Sequence, residues 1–156
     1  MIVSGCGGGG GDAATGGFPA STFVGNYSGV WRNTTLLTIG SCVITITSDT
    51  ATNTLTVVFD QNGFVFGLTD PDAITMTGVW TDTGVTVTGN SMVYGPGQFT
   101  IDAAGNVTGS FPNMTDPQIK SMSFTGTLSS TGANLTYTQQ TQPGGTEAGV
   151  VTTTKG

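Results

Sequence analysis

The side chains that most often do chemistry in proteins are scarce in this chain. Histidine is absent from its 156 residues. That removes the commonest general base, the usual partner of a catalytic serine, and the commonest metal ligand. Cys6 and Cys42 are the only cysteines, too few for a zinc site. The nine Asp and Glu residues fall mostly at turns, where a carboxylate accepts hydrogen bonds from its own backbone. Asp70-Pro71-Asp72 offers oxygens suited to calcium. No spaced set of further oxygen ligands follows it, so it reads as a structural turn. Asp60-Gln61-Asn62-Gly63 starts like a calcium loop but runs at once into an apolar stretch, and reads as a hairpin turn. Asp60 and Asp82 each follow a strand-like run. On one rim they would form the carboxylate pair of a hydrolase, but Asp at strand ends is common without any such role. The expectation is a chain that is not an enzyme and carries no cofactor and no metal.

The residues that remain informative are aromatic, and they sit in a regular pattern. Leu55, Val57 and Phe59 share one phase of a period of two, with Thr54 and Thr56 in the other. Ile74, Met76 and Trp80 alternate with Thr75, Thr77 and Thr81, and Met122 and Phe124 with Ser121, Ser123 and Thr125. Leu135 and Tyr137 alternate with Thr136 and Thr138. Such alternation marks strands with one dry and one wet face. Threonine, about a fifth of the chain, suits the wet face because its branched polar side chain fits a pleated surface. An outer-membrane barrel would need the reverse, with apolar side chains outside.

Turn chemistry separates the runs. Glycine closes Asp60-Gln61-Asn62-Gly63, Thr81-Asp82-Thr83-Gly84, Asp102-Ala103-Ala104-Gly105 and Ser130-Thr131-Gly132, as short hairpins require. The pattern predicts strands at 22–32, 36–47, 54–60, 64–69, 73–81, 85–94, 98–102, 106–111, 119–128, 134–141 and 147–154, with no helix. A meander this long disposes of its edges most simply by closing. The expected fold is all-β, an antiparallel up-and-down meander closed into a small barrel, with a two-sheet β-sandwich as the alternative. Gly29, Gly78, Gly109 and Gly126 fall in the inward phase. There they bend a strand or leave room for a large ring.

Length argues for one domain, with residues 1–21 as a glycine-rich tether and 22–156 as the barrel. Charged residues make up 8% of the chain, net charge is −6, and Arg32, Lys120 and Lys155 are the only basic residues. Nucleic-acid binders displace phosphate counterions with many cations, so nucleic acid is not an expected partner. No run of about 20 apolar residues, the length of a membrane-spanning helix, is present.

Val3-Ser4-Gly5-Cys6, followed by Gly7 through Gly11, resembles the lipobox of bacterial lipoproteins. The resemblance implies acylation of Cys6 and attachment to the bacterial cell envelope. Gly7 stands where some family members carry an inner-membrane retention Asp, which points to the outer membrane. Only Met1-Ile2-Val3 precede Ser4, so the charged and apolar parts of a signal peptide are expected upstream of this sequence. Acylation would leave Cys42 a lone thiol in an apolar run; an unprocessed Cys6 in an oxidising compartment would permit a Cys6–Cys42 disulfide.

Gly29-Val30-Trp31 resembles the Gly-x-Trp of the first strand in lipocalin-like and avidin-like (calycin) barrels. The resemblance implies that Trp31 closes one barrel end, with Lys155 as the candidate basic residue packed over it. An aromatic-rich, glycine-interrupted interior leads to the functional expectation: binding or carriage of a small hydrophobic ligand in the barrel mouth. The candidate lining is Tyr27, Trp31, Phe59, Phe66, Trp80, Phe124 and Tyr137. In the alternative, these rings pack on one another and the domain is a surface module that binds an envelope protein.

Overall fold

A computed structural model describes residues 17–65, 68–142 and 144–156. The lipobox with Cys6, and Phe66, lie outside the described residues. The chain forms β1 (Gly25–Asn33), β2 (Thr38–Asp49), β3 (Thr54–Gln61), β4 (Phe64–Val65), β5 (Leu68–Thr69) and β6 (Ile74–Val79). It continues with β7 (Gly84–Ser91), β8 (Gly95–Asp102), β9 (Asn106–Phe111), β10 (Ile119–Leu128), β11 (Gly132–Thr141) and β12 (Thr146–Lys155). Ten of these strands close into an antiparallel barrel, each beside its neighbour in the meander. Closure comes from β1 against β12, with Trp31 opposite Val151 and Tyr27 opposite Lys155. This is the expected meander barrel and not the sandwich.

Two segments depart from the expectation. Residues 64–69 do not form one barrel strand. Among the described residues, β4 and β5 pair only with each other, and β3 pairs directly with β6, Phe59 opposite Ile74. The chain leaves the wall at Gly63 (φ +104) and returns at Asp70 (φ 52), where the Asp70 amide donates to the Gly63 carbonyl at 2.9 Å. Both residues hold left-handed backbone that an uninterrupted strand cannot contain. The second departure is α1 (Ala20–Phe23), one turn of helix where a strand beginning at residue 22 was expected. Pro19 starts this turn, with the Thr22 amide donating to its carbonyl at 2.9 Å. Four residues are too short to show helical periodicity.

The two barrel ends differ. Phe18, Ala20 and Phe23 are buried and cap one end, where Phe18 lies 5.5 Å from Phe23 and 6.4 Å from Trp80. Tyr27 reaches the same cap and donates to the Phe23 carbonyl at 2.8 Å. Lys155 sits here too: its Nζ lies 5.6 Å from the centre of the Tyr27 ring and donates to the Thr22 carbonyl. The basic residue expected over Trp31 therefore packs over Tyr27, its partner in the β1–β12 register. Trp31, four residues along β1, stands toward the opposite, open end and does not close the barrel. Asp60 lies on β3 near the open end, whereas Asp82 lies in the β6–β7 turn at the capped end, so the two acids do not share a rim.

Side chains fill the middle of the barrel. An eight-stranded barrel is just wide enough to be filled by side chains, and diameter grows with strand number; ten strands therefore call for large ones. Phe124 supplies the hub, with ring centres at 5.2 Å to Phe99, 5.8 Å to Tyr137, 6.1 Å to Phe59 and 6.2 Å to Phe111. Glycines make room for this layer: a side chain at Gly109 would collide with the Phe99 ring, and one at Gly97 with Phe111. Gly29, Gly78 and Gly126 do something else. A Cβ at these positions would strike the backbone of the adjoining strand, at Thr152, Thr86 and Asn134 respectively. There the strands approach too closely for any side chain. A leucine at Gly78 or Gly126 has no cavity to fill and breaks strand pairing instead.

The outer face carries the threonine ranks expected of a wet surface. Thr86 and Thr100 hydroxyls meet across β7 and β8 at 2.9 Å, and Thr125 and Thr136 across β10 and β11 at 3.1 Å. Turn carboxylates behave as anticipated. Asp102 accepts from the amides of Ala104 and Asn106 and from the Asn106 side chain, and these hydrogen bonds hold its carboxyl below the usual range.

Candidate functional site

Toward the open end, the inward phase of several strands changes from apolar to polar. On β1 it runs Tyr27, Gly29, Trp31, Asn33; on β11, Leu135, Tyr137, Gln139; on β3, Val57, Phe59, Gln61. Asn33, Gln61 and Gln139 are all buried. Glu147 joins them from β12, directly opposite Gln139 in the register. Strand alternation makes this inevitable: a residue two places beyond an inward ring must also point inward.

These residues line a cavity of about 610 Å³. One part of its wall is apolar, from Trp31, Leu36, Ile119, Met122 and Tyr137. The rest is polar, from Asn33, Thr38, Gln61, Gln118, Gln139, Thr141, Gln142 and Glu147. Its volume lies within the range of small-molecule sites, which combine apolar walls with a few placed polar groups. Deeper in the barrel, a void of about 40 Å³ is bounded by apolar side chains including Ile46, Val57, Phe99 and Leu135. That space is too small for a ligand.

The polar group is held by a defined set of hydrogen bonds. Glu147 Oε2 accepts from Asn33 Nδ2 at 2.9 Å and from Gln139 Nε2 at 2.6 Å. Asn33 Oδ1 in turn accepts from the amides of Thr35 and Leu36, each at 2.9 Å. This bonding stops the β1–β2 turn and fixes which end of the Asn33 amide faces the carboxylate. Elsewhere on the wall, the Tyr94 hydroxyl donates to Gln61 Oε1 at 2.9 Å, and Trp31 Nε1 donates to the Asn62 carbonyl at 2.9 Å. Gly40 leaves space for the Trp31 indole, which a Cβ there would meet. Burial and the nearby Glu147 carboxylate push the Tyr137 phenol up to about 12.

Among the described residues, one polar atom in this group has no partner: Gln139 Oε1 is buried and accepts no hydrogen bond from them. The assignment of the amide is set by chemistry, because only its NH₂ can donate to the carboxylate. Leaving a buried acceptor unpaired costs about 1–3 kcal/mol, and the side chain lines the cavity.

Of the expected lining, Trp31 and Tyr137 are at the cavity. Phe59 and Phe124 belong to the aromatic layer, where they contact each other. Tyr27 and Trp80 lie at the capped end, away from the cavity. Asn33, Gln61, Gln139 and Glu147 were not anticipated. Their signal was present as polar residues standing in the apolar phase of a strand.

Cys42 is a free and fully buried thiol. Burial, and secondarily the Asp60 charge, push it up to about 12. No group of three or more His, Cys, Asp or Glu capable of holding a metal occurs among the described residues. No protein-family model, curated protein or solved structure matches this chain.

Proposed function

We propose that the protein is a non-catalytic binding module that takes up a small amphipathic ligand in the open mouth of its barrel. The observation that carries this reading is the cavity of about 610 Å³, open at one end and closed beneath by the aromatic layer. Its mixed wall suits a ligand with both apolar and polar parts. A wholly apolar cargo, the limiting case of the small hydrophobic ligand expected from sequence, would leave Gln139 Oε1 buried without a partner. Deeper in the barrel it would find a void of only about 40 Å³.

Attachment to a bacterial envelope through lipid on Cys6 is part of the same proposal. Its support is the sequence Val3-Ser4-Gly5-Cys6 with the glycines that follow. Gly17 lies beside Asp82 at the capped end, so a tether there would leave the mouth facing away from the membrane.

A second reading has its own observation. Leu36, Leu37, Ile39 and Met92 are exposed in and beside the β1–β2 and β7–β8 turns, and would suit contact with an envelope protein. A native mass spectrum of the full chain, purified without detergent, separates the two. A small mass released on denaturation supports the ligand reading. A bare polypeptide that also takes up no hydrophobic dye removes it and favours the partner-binding module.

A further inference from the structure

The polar end of the cavity holds a carboxylate and, beside it, a buried acceptor that is without a partner among the described residues. Glu147 is the only charged residue in the lining among the described residues. Its Oε2 already holds two donors, from Asn33 and Gln139, and no hydrogen bond reaches Oε1 among the described residues. Gln139 Oε1 is a second acceptor, buried and without a partner among the described residues. Neither Asn33 nor Gln139 can turn to relieve this. Asn33 Oδ1 is committed to two backbone amides, and rotating the Gln139 amide would set oxygen against the carboxylate. An occupant that brings donors and a positive charge to this end serves both acceptors and balances the carboxylate.

We propose that the polar end of the cavity recognises the protonated primary amine of an amphipathic ligand, with Glu147 and Gln139 as its acceptors. The proposal rests on the reading of the cavity as a ligand site. An ammonium group carries three donors and no acceptor, so it can serve Glu147 Oε1 and Gln139 Oε1 together without stranding an atom of its own. An anion would bring repulsion and no donor. A neutral hydroxyl would bring one donor and leave the charge unbalanced. The rings of Trp31 and Tyr137 stand in the same wall, and aromatic faces attract cations. Ile119, Met122 and Leu36 offer surface for the apolar remainder. The net charge of −6 on the whole chain attracts a cationic ligand and repels an anionic one.

Calorimetric titration of the full chain with octylammonium, octanol and octanoate tests this, because the three differ only in the head group. The expected order is octylammonium tightest, by about tenfold over octanol, with octanoate weakest; charge-assisted hydrogen bonds are roughly twice as strong as neutral ones. Glu147→Gln keeps the side-chain shape and an acceptor but removes the charge, and is expected to shrink the octylammonium preference to about twofold. Octanol or octanoate binding as tightly as octylammonium to the unaltered protein would overturn the amine assignment and leave the ligand site standing. Failure of all three to bind would overturn both. The ranking on the unaltered protein decides the matter even if the variant folds poorly.

Discussion

Replacing Phe124 by alanine is expected to cost the barrel about 4 kcal/mol, within the usual range for deleting a buried aromatic side chain. Phe124 is 1% exposed and lies within 6.2 Å of four other rings, Phe59, Phe99, Phe111 and Tyr137. Its removal forfeits the transfer free energy of the ring and several edge and tilted ring contacts, each worth about 0.5–1.5 kcal/mol. The neighbours cannot collapse inward, because they are fixed to a closed wall of strands. For a domain of this size, the melting temperature should fall by about 10 °C. Val79→Ala is the matched control: Val79 is 64% exposed on β6, and its truncation should change stability by no more than about 0.5 kcal/mol. Denaturant midpoints for the two variants, measured side by side, check the contrast. Equal losses would mean that the aromatic layer does not hold the barrel together.

Alkaline pH is expected to unfold the protein, with loss of stability beginning near pH 9. Four buried acids carry this expectation. Cys42 is pushed from an ordinary 9.0 up to about 12, first by burial and then by Asp60. Tyr137 is pushed from 10.0 up to about 12 by burial and by Glu147. Tyr94 is raised by burial, with Cys42 and Asp60 adding to it, and Tyr27 is raised by burial. In each case the unfolded chain loses its proton at a lower pH than the folded one. Between the two values the folded state binds more protons, so stability falls as pH rises. The stabilisation is complete below pH 9, and most of the loss from Cys42 and Tyr137 is spent by about pH 12. Cys42 alone accounts for on the order of 4 kcal/mol across that interval, comparable with the whole stability of many domains. Denaturant unfolding followed from pH 7 upward measures the effect. Cys42→Ala should move the onset toward pH 10, where the tyrosines begin to titrate. An onset that stays at the same pH in the variant would show that Cys42 does not drive the loss.

The barrel was legible in the sequence because its signal is local and repeated. Thr75, Thr77, Thr86, Thr125 and Thr136 alternate with core residues, and one register slip would turn every such residue to the wrong face. Closure also followed from the length of the meander. The misreading at 64–69 arose because the segment's composition suits a strand, while two left-handed residues, Gly63 and Asp70, turn the chain out of the wall. An aspartate with positive φ leaves no distinctive mark in sequence.

The site was only partly legible, for a different reason. Sequence alternation says which residues point inward, but not how far along the barrel each one sits. Tyr27 and Trp31 lie in one phase of β1 and serve opposite ends, because four strand residues span about 13 Å. Depth depends on the stagger between strands, which pairs Tyr27 with Lys155 and Asn33 with Gly149. Once that stagger is known, Asn33, Gln61, Gln139 and Glu147 fall at the open end. Their being polar in an apolar phase then becomes a feature of the mouth. The inward glycines divided on the same grounds. Gly109 makes room for the Phe99 ring, whereas Gly78 admits the Thr86 backbone, and the spacing of the two is alike in sequence.

The central claim is that the mouth of the barrel takes a small amphiphile while the aromatic layer below it stays closed. Methyl-resolved NMR of the full chain, titrated in turn with octylamine, octanol and octanoate, tests it most directly. Resonances of Ile119, Met122 and Leu36 should move with at least one probe. Those of Val57, Ile101 and Leu135, which lie around the small inner void, should stay in place. Shifts confined to the inner set, or no shift with any probe, would contradict the account.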